Sequence, residues 1–469
     1  MLRSMRQFSP ASANDQHGHG CSQVLYGMYL KRRHRLILLS GRLWLVRMIF
    51  WIGAVVVGLA ASLFAIGADK AQDLFSHLTG YAPWLPLILT PLTMALVVFL
   101  TRRYFPGAEG SGIPQVIATL KIRDQSSRRQ ILSLRIATGK MLLTWLALCG
   151  GASVGREGPT VQVGAAILYS IGRWVKLPRQ LSEHGLIVAG GAAGVAAAFN
   201  TPLAGIVFAI EEMARSFEEK TSGTLLTAVI VAGLAAMYVF GNYNYFGHTG
   251  ASLAGTQAWG LVFSAGLLGG LTGGIFSRIL LHTSTHGLPG STGRWMRQHP
   301  VWFSAACGLV LALLGIASGY TVFGSGYPEA RHLIEAKVAL PVSYGVMKLL
   351  ATLVSFLSGI PGGLFAPSLS VGAGLGAELA PLFPGLNPSA IIVVGMVAYF
   401  SGLVQAPITA FVIVMEMTDN QDMMVPLMGA ALIASTVSRL VCPAPLYKGL
   451  ARNFVARQSR RPEQQTSAI

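Results

Sequence analysis

Long apolar runs without charge constrain this chain more than any other feature. Met48–Ile66, Leu85–Leu100, Leu225–Phe240, Leu261–Phe276 and Val301–Ala317 are almost free of charged side chains. Each approaches the roughly 20 residues an α-helix needs to cross the hydrocarbon core of a bilayer. Overall, 52% of residues are hydrophobic and 11% are charged, against about 25% charged in ordinary soluble domains. A length of 469 residues would suit two or three soluble domains, but the hydropathy overrules that reading. Continuous runs also exclude an outer-membrane barrel, whose segments of about ten residues alternate apolar and polar side chains. The sequence predicts an all-α polytopic membrane protein.

The formal net charge of +17 sits at the ends of the chain. Lys31, Arg32, Arg33, Arg35, Arg42 and Arg47 precede or open the first run, and Lys448, Arg452, Arg457, Arg460 and Arg461 follow the last. This placement fits the positive-inside rule, with both termini cytoplasmic, an even number of crossings and anionic lipid as the partner of the basic ends. No nucleic-acid partner is expected. Residues 1–40 are too polar for a cleavable signal peptide and read as a basic leader; 451–469 reads as a short basic tail. Cys21, Cys149, Cys307 and Cys442 are far apart and form no metal spacing, so neither a disulfide nor a zinc site is expected.

The 55 glycines and 23 prolines imply interrupted helices, a trait of transporters and channels. An internal repeat organises them. "GREGPTVQVGA" (155–165) aligns with "GLFAPSLSVGA" (363–373), and "TPLAGIVFAIEEM" (201–213) with "APITAFVIVMEMT" (406–418). Two halves follow, 41–240 and 241–450, of the kind that forms inverted repeats with a site near the bilayer midplane. The repeat also sorts the acids. Glu211 has a counterpart in Glu416, whereas Glu157 aligns with Phe365 and Glu212 with Met417. Glu157 and Glu212 are therefore the acids to examine for function.

Three stretches share one grammar of glycine followed shortly by proline: "GSGIP" (110–114), "GREGP" (155–159) and "GGLFAP" (362–367). Proline suits the first helical turn and glycine frees the turn before it. Each stretch is a candidate helix N-terminus, whose unpaired N–H groups and positive dipole end suit an anion.

Together with the late "PLY" tyrosine, these motifs in this order resemble the CLC family of chloride channels and chloride/proton antiporters, and most closely its bacterial antiporter branch. The resemblance runs from the first span to Tyr447. It implies a homodimer in a bacterial inner membrane, with an anion pathway in each subunit. Each subunit is built from two inverted halves with many tilted and broken helices. No carboxy-terminal CBS domains are expected. The hydroxyls of Ser111 and Tyr447 and the backbone of Gly112, Ile113, Gly158, Leu364 and Phe365 correspond to the anion site, with Arg156 nearby. Glu157 matches the gating glutamate, which competes with the anion when ionised and swings aside when protonated. Glu212 matches the internal proton-transfer acid of the antiporters. Lys140 resembles a buried lysine that supports anion binding electrostatically.

Simpler roles are open for several of these residues. Ser111 could cap a helix, Tyr447 could belong to an interfacial belt, Lys140 could snorkel, Arg156 could pair with Glu157, and Glu212 could pair with Arg215. The expected function is secondary active exchange of chloride for protons, with no cofactor. A passive chloride channel is the alternative, and a fluoride/proton antiporter is disfavoured by Ser111 and Tyr447. An intramembrane enzyme is rejected: "GASVG" (151–155) puts Ser153 in a Gly-x-Ser-x-Gly pattern, but without the strand and histidine such a nucleophile needs. Gln115 stands where many relatives carry glutamate. His282 and His286 read as residues of a solvated loop.

Overall fold

The computed structural model describes residues 41–175, 183–214, 219–241, 244–253, 255–335 and 340–466. The leader 1–40, including Cys21, and Arg215 lie outside the described residues. Two compact units are distinguished, Met1–Ile49 and Phe50–Ile469. Of the first, only residues 41–49 are described, and they are helical. All contacts below belong to the second.

The first half contains α1 (Gly41–Tyr81), α2 (Pro86–Tyr104), α3 (Ile113–Lys121), α4 (Gln125–Ile131), α5 (Leu134–Cys149), α6 (Glu157–Trp174), α7 (Glu183–Phe199), α8 (Pro202–Phe208) and α9 (Glu219–Phe240). A π-helical turn, Ala209–Ala214, continues from α8. The second half contains α10 (Thr256–His286), α11 (Gly290–Gln298), α12 (Pro300–Ala317), α13 (Tyr327–Ile334), α14 (Tyr344–Leu357), α15 (Phe365–Leu379), α16 (Pro388–Val404), α17 (Pro407–Thr418), α18 (Met424–Val441) and α19 (Leu446–Thr466). Among the described residues, six helices are long and apolar enough to cross a membrane. Ile52, Leu59 and Leu63 on α1, Leu92 and Phe99 on α2, and Phe263 and Ile275 on α10 point outward. Such greasy outer faces suit a hydrocarbon environment.

The element order repeats more fully than the sequence alignment shows. α3 begins at the fourth residue of "GSGIP", and its counterpart α13 at the fourth residue of "GSGYP" (324–328). Lys140 on α5 and Lys348 on α14 each stand 17 residues before the first helical residue of the next long element, Glu157 or Phe365. Both are completely buried. The helix breaks correspond too. Asn200 separates α7 from α8 and Gln405 separates α16 from α17, at φ 57° and 58°. Prolines 202 and 407 then open the next helices, where a missing N–H costs nothing.

Across these breaks the halves cap one another. The Glu211 carboxylate accepts from the N–H of Ile408 (3.2 Å) and from the N–H and hydroxyl of Thr409 (2.6 and 2.7 Å). Reciprocally, Glu416 accepts from the N–H of Leu203 (3.1 Å) and of Ala204 (2.8 Å). Each helix start has orphan donors and a positive dipole end, and each receives a carboxylate from the other half. Close approach of the long helices relies on missing side chains: a Cβ on Gly190 would lie 2.8 Å from the Ala165 Cα, and one on Gly395 would lie 2.6 Å from the Gly376 Cα.

Two expectations need correction. His282 and His286 do not lie in a loop; they occupy the exposed last turn of α10, with stacked rings 4.9 Å apart. The carboxy-terminal segment from 451 is not simply a tail, because α19 runs through it. Ala451 is buried, and Asn453 Nδ2 donates to Ser284 Oγ (2.6 Å) and Thr285 Oγ1 (2.8 Å). Small residues and an asparagine at 449–453 allow the helix to dock on α10 before the charge accumulates.

Glu416→Ala leaves two N–H groups of α8 without their acceptor. It should destabilise the protein by about 1.5–3 kcal/mol, the usual worth of hydrogen bonds to a charged group. A lower thermal unfolding midpoint in detergent, largely restored by Glu416→Gln, is expected; an unchanged midpoint would remove the capping role.

Candidate functional site

The three glycine–proline turns meet in space. Gly155 and Gly363 exchange both backbone hydrogen bonds, N–H to O at 2.8 and 2.6 Å. Gly110 donates to Ile360 O and accepts from Gly362 N–H, both at 3.2 Å. These are the two isolated β-bridges among the described residues. The starts of α3, α6 and α15, with Ile113, Gly158, Leu364 and Phe365, are thereby drawn into one buried place. Gly112 is held in a left-handed conformation, φ 97°, that a side chain would disfavour. Its amide, expected among the anion donors, is instead bonded to Gln115 Oε1 at 3.0 Å. The Gln115 Nε2 donates to Glu109 O at 2.5 Å. Glutamine therefore ties down the first turn by donating and accepting at once, which an ionised glutamate could not do.

Glu157 is the first residue of α6 and is fully buried. Its carboxylate lies beside the Ala366 amide at the start of α15. Oε1 accepts from the Tyr245 hydroxyl at 3.1 Å, and Oε2 has no hydrogen-bond partner. The side chain thus lies over the second-half helix start, with Arg156 at the edge of ion-pair distance. Arg156 Nε is 4.0 Å away, and its Nη1 binds Asp69 Oδ1 (2.5 Å) and Ala65 O (2.7 Å). Arg156 contributes positive potential beside the turn, but its guanidinium is not a ligand pointing into it.

The Tyr447 phenol points at Ser111 and lies within electrostatic reach of both Glu157 and Glu212. Ser111 and Tyr447 are buried, and neither hydroxyl has a hydrogen-bond partner. Buried hydroxyls are seldom left so; the belt and helix-cap roles do not fit them. The surrounding wall is aromatic. Phe365 stacks on Tyr447 (centroids 6.0 Å, 10° apart) and packs against Phe400 (4.8 Å) and Phe199 (5.6 Å). Lys140 does not snorkel. Its Nζ is buried and donates to Gln162 Oε1 at 2.7 Å. A Cβ on Gly112 would lie 3.2 Å from that nitrogen, so the ammonium sits directly beneath the first turn.

Glu212 is fully buried in the π-helical turn and, like Glu157, lies within electrostatic reach of the Tyr447 phenol. Its Oε2 pairs with Lys448 Nζ at 3.1 Å. Two residues of this cluster, Tyr245 and Lys448, carried no sequence signal of their own. Tyr245 belongs to a short segment held by hydrogen bonds from Phe246 N–H to Met417 O and from Thr249 N–H to Thr418 O. Lys448 was one more charge in a basic chain end. Ser153 lies apart from any such chemistry, buried with its hydroxyl 3.2 Å from Thr352 Oγ1.

A multi-pass helical membrane protein with broken helices converging on unpartnered donors and buried acids is a transport protein by construction. Residues 93–439 match the voltage gated chloride channel family, and the chain belongs to this CLC family. It is 30% identical over 443 residues to the H(+)/Cl(-) exchange transporter ClcA of Yersinia pestis bv. Antiqua (strain Angola), covering 88% of this chain and 89% of that one. A solved slow cyanobacterial Cl−/H+ antiporter superposes with a TM-score of 0.75 at 26% identity, over 88% of this chain and 99% of the other. A CLC-type fluoride/proton antiporter superposes at 0.72 with 25% identity, over 87% and 99%.

Gly158→Ala would put a methyl group 2.5 Å from the Ser111 hydroxyl and should suppress anion flux in liposomes; wild-type flux would show that anions do not pass this turn. Tyr245→Phe removes one hydrogen bond to the Glu157 carboxylate, about 1.5 kcal/mol or roughly tenfold in the blocked-to-open ratio. Faster anion turnover is the expected result, and an unchanged rate would dismiss the contact as incidental.

Proposed function

We propose that the protein is a chloride/proton exchanger. The observation that carries this reading is the Glu157 carboxylate lying against the α15 start while the Ser111 and Tyr447 hydroxyls beside it lack partners. A carboxylate and a chloride ion want the same donors. Ionised, Glu157 excludes the anion; protonated, it loses its charge and yields the place. One proton taken up at Glu157 is thereby linked to anion entry. Chloride then passes Ser111 and Tyr447, with the amides of Ile113, Gly158, Leu364 and Phe365 lining the turns. Lys140 adds positive potential from below.

The proton takes a different onward route, by way of Glu212. A second buried carboxylate is the feature that favours exchange over a passive channel, because protons cross apolar protein only between titratable stations or along water. The two transported ions are the only substrates this scheme requires. A chloride-directed site also suits the serine hydroxyl at 111. We further propose a homodimer with one such pathway per subunit, with both termini on the cytoplasmic side of a bacterial inner membrane and the basic ends against anionic lipid.

The deciding experiment is flux in reconstituted liposomes. A chloride gradient should drive protons uphill; its failure to do so would leave a passive channel. Replacing chloride by fluoride tests the fluoride alternative, with slower exchange expected. Glu157→Ala should keep chloride flux and lose proton movement. Glu212→Gln should also lose coupling while anions still pass, and wild-type coupling in that variant would take Glu212 out of the route.

A further inference from the structure

Lys448 follows Tyr447 at the start of α19, and the two side chains reach different parts of the site. At 3.6 residues per turn, consecutive side chains diverge by about 100°. Tyr447 turns to Ser111 and the Phe365 ring. Lys448 turns to Glu212, with Nζ 3.1 Å from Oε2 and 3.2 Å from the Glu211 carbonyl oxygen. The glutamate side chain is fully buried and the lysine is 16% exposed. Glu211 cannot substitute as the acid in this pair, because its carboxylate caps α17.

An ionised carboxylate out of reach of water is costly unless a counter-charge is at bonding distance. Resting on the exchanger reading, we propose that Lys448 is the counter-ion of Glu212 and a positioning residue of the proton branch. The ammonium keeps Glu212 ionised and able to accept. When a proton arrives, an O–H bond forms on Glu212 and the pair changes from net neutral to net positive. Lys448 keeps its own proton and its second acceptor, the Glu211 carbonyl, so its charge is not stranded. Release of the proton toward the aqueous side restores the pair. The same helix start that presents the anion-site phenol thereby presents the charge that governs the proton acceptor.

The test uses the full chain in liposomes under a chloride gradient, reading the reversal potential and the rates of chloride and proton movement for wild type, Lys448→Gln, Lys448→Met and Lys448→Arg. Lys448→Gln keeps a hydrogen-bond donor without the charge, and Lys448→Met keeps only the stem. Either variant, if folded, is expected to conduct chloride while its reversal potential shifts toward the chloride equilibrium potential. Lys448→Arg is expected to restore wild-type coupling, since it returns a permanent charge. A coupled wild type with unshifted Gln and Met variants overturns this proposal alone. So does an arginine variant that conducts chloride with the same shift as glutamine. A wild type that moves no protons uphill overturns the exchanger reading, and the proposal with it.

Discussion

The structure depends on the paired backbone of Gly155 and Gly363. Two short hydrogen bonds exchanged between these glycines hold the starts of α6 and α15 against each other, end to end and deep within the protein. Two helix N-termini facing one another would ordinarily repel, because both present positive dipole ends and unpaired donors. The arrangement is tolerable only if something negative sits between them. In this chain Glu157 provides that charge, and a Cβ on Gly155 would collide with its Oε2. The geometry that suits an anion also suits a tethered carboxylate, so in the proposed exchanger the gate and the site are one constraint.

The four glutamates of the central breaks divide by symmetry. Glu211 and Glu416 are equivalent, and each satisfies donors of the opposite half. Their work is structural and needs acceptor oxygens at the helix starts. Glu157 and Glu212 have Phe365 and Met417 as counterparts, so the fold does not require acids there. Neighbouring carboxylates in sequence, Glu211 and Glu212, thus serve opposite ends: one is bound to backbone donors, while the other faces an ammonium that can remain in place when the acid is neutralised.

Much of this was legible in the chain. Apolar runs specified the helical membrane class, and glycine–proline turns located the helix starts at Ile113, Glu157 and Phe365. What escaped had physical reasons. "GSGYP" repeats "GSGIP" at a different offset from the rest of the alignment, because connections of unequal length separate the motifs from the lysines. Tyr245 reaches Glu157 across 88 residues of sequence and Lys448 reaches Glu212 across 236. No local period encodes such contacts; only the meeting of the halves creates them. The partner of Arg156 escaped in the same way, since Asp69, 87 residues away in sequence, holds its guanidinium.

The second half supplies an internal control for the anion site. It repeats the glycine–serine–glycine turn, the buried lysine and the helix start, yet the turn serine and the lysine there are both satisfied. Ser325 Oγ donates to Gln72 Oε1 at 3.2 Å and accepts from Tyr327 N–H at 3.3 Å. Lys348 Nζ is held by the carbonyls of Val322 and Gly324, both at 2.9 Å. Ser370, at the position equivalent to Gln162, bonds Tyr344 at 2.5 Å. The first half leaves the Ser111 hydroxyl unpartnered and calls on Tyr447 from the far end of the chain to lie beside it, also unpartnered. A duplicated scaffold that satisfies its turn serine in one copy and leaves it open in the other has no structural need for the open one. Since buried donors are costly to leave unmade, the open hydroxyls of Ser111 and Tyr447 are best accounted for by a ligand that completes them in passing.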